Sequence, residues 1–352
     1  METSRIKKVL LDNFYPIGLF SFFIIYYLLW IKYNFHSVTF NTNDLETAVS
    51  IFNYKPYISI FLNNIFSLEI LNLFFGYCFF PSVISVLLFL IFKKILANNI
   101  WALSLTFLSV SASENYPFHK FLFSFVSKIS TKETINIYEN FEIMGFPIPA
   151  FSIFFFCLVF YLTLKSIKLH RQKIYFITFL WLVMFHIHPV DGLIGNLYWI
   201  GFIGILSLQK KIELNKIDYL ILIGIYFLNT FILMSQLSLE TLIIKNSQTI
   251  SLYSIIFYFL VPIILIFFCL FLLKIDFYEF SQKFLNIYLM MIVEILLIIF
   301  SINGIGFELQ MLENRITMFL LHFLYYVPII YYLSKDEIFY INSTNKSSFS
   351  GK

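Results

Sequence analysis

Charge is what this chain lacks most. Only 12% of its 352 residues are Asp, Glu, Lys or Arg, against 60% apolar residues, and its mean hydropathy is +0.84. A soluble domain carries about twice that charge. A water-soluble globular fold is therefore excluded, and the chain reads as an integral membrane protein. Cysteine is scarce as well: Cys78, Cys157 and Cys269 lie far apart inside apolar runs, without metal-ligand spacing. They are expected to be packing residues.

Other absences narrow the function. There is no glycine-rich phosphate loop, and the connections on the lysine-rich side are short. A soluble nucleotide-binding domain there is excluded, and ATP or nucleotide-sugar chemistry with it. The first apolar run, near 15–33, is too long for a signal-peptide core and has no small-residue cleavage site, so it reads as a retained span behind Arg5, Lys7 and Lys8. No internal repeat of the kind many transporters carry is found.

What is present is a series of apolar runs. At about 20 residues per crossing they predict about ten spans, near 15–33, 68–92, 98–113, 149–167, 174–188, 191–209, 218–236, 253–273, 284–303 and 316–334. The third and fifth are short, so their boundaries are soft and one could be re-entrant. The expected fold class is all-α, a polytopic transmembrane helical bundle. Residues 1–334 form its single domain and 335–352 a polar, disordered tail.

Cations give the bundle a direction. Seventeen of the 24 Lys and Arg fall on one set of connections and seven on the other. Cytoplasmic loops retain Lys and Arg, so the richer side faces in and both termini are cytoplasmic. The net charge of +4 comes from those inner connections. It speaks of topology and gives no reason to expect nucleic acid as a partner.

Two outer connections are long, near 34–67 and 114–148. In the first, NTNDLETAVSIFN offers Asn43 or Asp44 as a helix cap, followed by Leu45, Ala48, Val49 and Phe52 at helical spacing. That stretch is expected to be a helix lying on the membrane surface. Asp44 and Glu46 are the first candidates for a catalytic base, with capping and solvation as their plainer roles. Glu114 is the alternative base, and His119 with Lys120 could hold a phosphate.

The run FHIHPVDG sets His186, His188 and Asp191 where the fifth span ends and the sixth begins. Pro189 discourages helix at His188, and the two histidines would share a face only in extended chain. One reading is a polar interfacial turn. The other is substrate binding at headgroup depth, where a lipid phosphate would also sit. A metal site would need His36 or His119 from other loops.

Arg315 is the one outer arginine in a chain with 21 Lys and three Arg. Its planar fork grips phosphate in a way ammonium cannot copy. Its plainer role is a snorkelling anchor or a partner for Glu313. Glu294 stands near the middle of an apolar span, where a carboxylate is costly unless it faces a cavity or a partner. It could couple protons in a transporter or bond a neighbouring helix. His322, below Arg315, is a candidate partner.

This layout resembles the polytopic membrane glycosyltransferases of the GT-C superfamily and the O-antigen polymerases of surface-polysaccharide clusters. The likeness rests on a first span followed by a long outer loop with Asp44 and Glu46, His188-Pro189 at an outer span boundary, and Arg315 late in the chain after Gln310. NDLE is the nearest approach to an acidic DxD pair. The resemblance implies a multi-pass protein of the bacterial inner membrane acting on a polyprenyl-phosphate- or polyprenyl-diphosphate-linked sugar. A carboxylate of the first outer loop would deprotonate the acceptor hydroxyl, with inversion at the anomeric carbon. Arg315, with His119, Lys120 or His188, would hold the phosphate. A divalent metal is compatible with this chemistry, and no residue pattern requires one. The competing expectations are a proton-coupled transporter or lipid-linked oligosaccharide flippase using Glu294, and a structural subunit of an envelope complex.

Overall fold

The computed structural model describes residues 14–29, 61, 74–115, 150–165, 170–212, 214–234, 271, 284–287, 289–290, 292–293, 296, 327–328 and 331. The secondary structure among them is helical throughout, with no strand. Helix α1 is Phe14–Leu29. A π-helical turn, Phe75–Phe79, leads into α2, Phe80–Leu96. Then come α3 (Asn99–Asn115), α4 (Ala150–Lys165), α5 (Arg171–Ile187), α6 (Pro189–Leu208) and α7 (Lys216–Met234).

Each helix overlaps one of the first seven expected spans. Two stretches are long and apolar enough to cross a membrane, Phe75–Leu96 with mean hydropathy 2.2 and Asp191–Leu208 with 1.4. The two runs expected to be short, now α3 and α5, are continuous helices of 17 residues, about 26 Å long. The last three expected spans, the two long outer connections apart from the start of the second, and the tail lie largely or wholly outside the described residues.

Local chemistry sets the ends. α2 stops at Ala97, whose φ of 55° is left-handed. Asn98 then starts α3 by accepting the amides of Ile100 and Trp101 on its Oδ1, at 2.9 and 3.3 Å. α6 closes with the Lys211 amide on the Leu206 carbonyl and the Lys210 amide on that of Ser207. Lys210, at φ 53°, fills the left-handed position where glycine is usual. Between α5 and α6 the chain is extended at His188 (φ −150°, ψ 117°), and Pro189 takes the first helical position. The expected proline break is there.

Side-chain contacts give the directions. α1 runs against α2, since Tyr15 stacks on Phe89 while Phe20 meets Phe79. α4 runs with α2, because Phe80 meets Phe151 and Phe154 near both starts. α5 and α6 form an antiparallel hairpin: a Cβ on Gly192 would sit 2.5 Å from the Phe185 Cα, and the Asn196 amide donates to the Trp181 carbonyl at 2.6 Å. Farther along, Trp199 Nε1 donates to Thr178 Oγ1 at 2.8 Å. α7 runs with α5, joined through Tyr175 to Asp218 and His186 to Asn229.

These directions sort the charges. Lys93, Lys94, Lys165, Arg171, Lys173, Lys210, Lys211 and Lys216, every Lys and Arg among the described residues, lie at one end of the helices. The other end holds the start of α6 and the ends of α3, α5 and α7. Between the ends, Phe89, Phe156, Phe160, Trp181, Tyr198 and Trp199 are buried in a common core. Outward faces are apolar too: Ile17, Phe179, Leu220 and Phe227 are all more than 60% exposed.

Candidate functional site

The densest cluster of candidate residues is the junction of α5 and α6. His188 ends one helix and caps the next, so its backbone amide goes back to the Met184 carbonyl at 2.8 Å. Its ring turns forward onto Asp191, in the first turn of α6. The Asp191 amide donates to Nδ1 at 3.3 Å, and one oxygen of the Asp191 carboxylate lies 3.0 Å from the same nitrogen. Both side chains are buried.

That one nitrogen cannot serve both contacts at once. Unprotonated, Nδ1 accepts from the amide as a helix cap. Protonated, it donates to the carboxylate and gives the buried charge a partner. The pair is therefore a place where a proton can be held, in surroundings where an isolated carboxylate would be costly. α4 packs on the same hairpin, with Phe156 against Trp181 and Phe160 against Tyr198.

His186, two residues back on α5, is only half-buried and points elsewhere. Its Nε2 lies 3.3 Å from Asn229 Oδ1 on α7. Expectation had grouped His186 with His188 as substrate-binding residues. They share the same end of the hairpin but face different neighbours, because His186 is still helical and His188 is not.

Deeper in the hairpin, Asn196 ties the two helices. Its Nδ2 donates to the carbonyls of Trp181 and Gly192, at 2.6 and 2.7 Å. Its Oδ1, Trp181 Nε1 and Asp191 Oδ1 are buried without a hydrogen-bond partner among the described residues. Such atoms cost stability unless something pairs with them.

The opposite, cation-rich end holds a second buried carboxylate, Asp218 of α7. Arg171 Nε lies 2.5 Å from it, the Tyr175 hydroxyl donates to it at 2.6 Å, and the Asn215 amide donates to its other oxygen at 2.9 Å. The last bond is half of a helix-capping box. Hydrogen bonding to Tyr175 first, and then the charge on Asp218, holds the Arg171 guanidinium above its ordinary value. Nearby, the hydroxyls of Ser207 and Tyr219 are bonded to each other.

Of the other expected site residues, Glu114 is in the last turn of α3, at the cation-poor end. Asp44, Glu46, His119, Lys120, Glu294, Gln310, Arg315 and His322 lie outside the described residues. Among the described residues no three His, Cys, Asp or Glu side chains group as a metal site would require. Sequence reasoning missed Asn196, Asn229 and Asp218. The signal was available for the two asparagines, each a lone amide in an apolar helix that must find a partner.

No family model matches the chain, and no match was found among curated proteins or solved structures.

Proposed function

We propose that the protein is a multi-pass enzyme of a bacterial inner membrane that transfers sugar from a polyprenyl-phosphate or polyprenyl-diphosphate carrier on the extracytoplasmic face. It acts as a glycosyltransferase or polysaccharide polymerase. The observation that carries this reading is the sorting of charge: all described Lys and Arg gather at one end of the helices, while His186, His188, Asp191 and Glu114 belong to the other. Helices apolar on buried and exposed faces alike suit a lipid surround, and the cation-poor end then faces outward.

On this reading Asp44 or Glu46, or else Glu114, deprotonates the acceptor hydroxyl. Arg315, with His119 or Lys120, takes the phosphate that leaves, a role in which fixed cations replace an acid. Gln310 lies in the same outer segment. His188, paired with Asp191 at the same cation-poor end, is a further candidate to bind that phosphate.

The test is transfer by the full chain in nanodiscs, supplied with polyprenyl-diphosphate-linked saccharide extracted from the native host. New glycosidic bonds are expected from the wild type. Arg315→Lys and Asp44→Asn should lose them while still inserting normally.

A second reading, a proton-coupled transporter or lipid-linked oligosaccharide flippase, is favoured by the proton-holding geometry of His188 and Asp191. In that case lipid-linked saccharide crosses proteoliposomes without any new bond, and Glu294→Gln alone stops it.

A further inference from the structure

Three helix ends meet where α6 hands the chain to α7. α6 finishes at Leu208 and α7 starts at Lys216, and the first turn of α5 is drawn onto α7 by Asp218, which receives Arg171 and Tyr175. The bonded hydroxyls of Ser207 and Tyr219 join α6 to α7. Arg171, Lys173, Lys210, Lys211 and Lys216 all belong to these ends. Against those five cations the sequence at the junction offers only Glu213 and Asp218. Asp218 is buried and already committed to Arg171.

Lys210 is the informative residue. The Lys211 amide on the Leu206 carbonyl and the Lys210 amide on the Ser207 carbonyl end α6 in the way that favours glycine at the left-handed position. Lysine stands there instead, at φ 53°, a conformation that any residue with a Cβ adopts at a cost. Its side chain is exposed, so packing gains little from it. What it adds over glycine is a charge at the rim.

Its surroundings repeat that charge. Lys216 is exposed as well, and the Arg171 side chain is 52% exposed in spite of its ion pair. Neither lysine forms a salt bridge with a described residue. Two of the three ends are helix starts, where backbone amides favour anions. Exposed Ile217, Leu220 and Phe176 follow within about a turn, which sets the cations at the level where headgroups meet hydrocarbon. Cations clustered at the cytoplasmic ends of spans attract anionic lipid.

We propose that the junction of α5, α6 and α7 binds an anionic phospholipid of the cytoplasmic leaflet, its phosphate held among Arg171, Lys210 and Lys216. The site shares with the proposed function only the membrane orientation, with the cation-rich end facing the cytoplasm.

Native mass spectrometry of the full chain in neutral detergent, titrated with phosphatidylglycerol, reads the dissociation constant of the first bound lipid. The wild type is expected to bind phosphatidylglycerol more tightly than phosphatidylcholine. Lys210→Gly suits the backbone and so keeps the fold; it should weaken binding about fivefold, the equivalent of about 1 kcal/mol for one cation at a membrane surface. Lys216→Gln should do the same. Lys94→Gln, at an exposed lysine of the same end on α2, should leave binding unchanged. Equal losses from all three variants would reduce the site to diffuse surface charge and overturn the proposal, as would equal binding of the two lipids. Displacement of the lipid by millimolar inorganic phosphate would make free phosphate the ligand, and would overturn it too. Selective phosphatidylglycerol binding by a chain that transfers no sugar in nanodiscs would retain the lipid site and remove the enzyme.

Discussion

Two buried aspartates sit at opposite ends of the same group of helices, and their surroundings could hardly differ more. Asp218 is met by a permanent cation, a phenol and a backbone amide. Among the described residues Asp191 is met by one imidazole, at its Oδ2, and its Oδ1 has no hydrogen-bond partner. Burial alone therefore says little about a carboxylate's role. The fully satisfied one holds α7 in place, and its partner Arg171 does not titrate in any ordinary range. The sparsely satisfied one depends on a ring nitrogen that can either accept from the Asp191 amide or donate to its carboxylate.

The contrast can be broken most directly by neutralising each aspartate in turn. If the proposed function holds, Asp191→Asn should lower sugar transfer in nanodiscs by about 100-fold, the scale on which a misplaced positioning group acts, with normal insertion into the membrane. Asp218→Asn should do the reverse, leaving transfer near wild type and lowering the thermal midpoint in detergent. If both variants behaved alike, the distinction between the two ends would fail.

Packing offers the next largest effect. Gly192→Ala should cost about 1–3 kcal/mol, as overpacking does, because the new Cβ would meet the backbone of Phe185 rather than a movable side chain. The check is a thermal melt beside Gly224→Ala, whose Cβ would meet nothing within 4 Å. Smaller still is the cation-rich end of α6. Lys210→Gly relieves a left-handed lysine and should raise stability by no more than about 0.5 kcal/mol, because glycine also has more freedom to lose on folding.

Much of the helix order was legible in the sequence, for a physical reason. Apolar runs of about 20 residues are long, uniform signals, and seven of them coincide with helices. The break at His188 was legible because proline acts locally on its predecessor. The sorting of Lys93, Lys94, Lys165, Arg171 and Lys216 was legible because short connections force neighbouring helices to alternate. Partners across helices were not. Nothing near Asp218 in sequence points to Arg171 or Tyr175, and Asn229 sits 43 residues from His186. Apolarity all round, the property that reveals a span, also hides which face of it packs inward. α7 is the clearest case, since only three of its described side chains are buried.

The wide turn at Phe75–Phe79 adds a constraint of another kind. A π turn accommodates one residue more than an α-helix would over the same stretch, and here it sets Cys78 so that its thiol donates to the Ile24 carbonyl of α1 at 3.6 Å. Losing a single residue between Phe75 and Phe79 would hardly shorten the helix. It would let the turn close as ordinary α-helix with the faces on either side left almost in register, whereas the same loss inside α2 would turn everything beyond it by roughly 100° about the axis. The wide turn is thus slack for one residue of length, which the regular helix after it lacks.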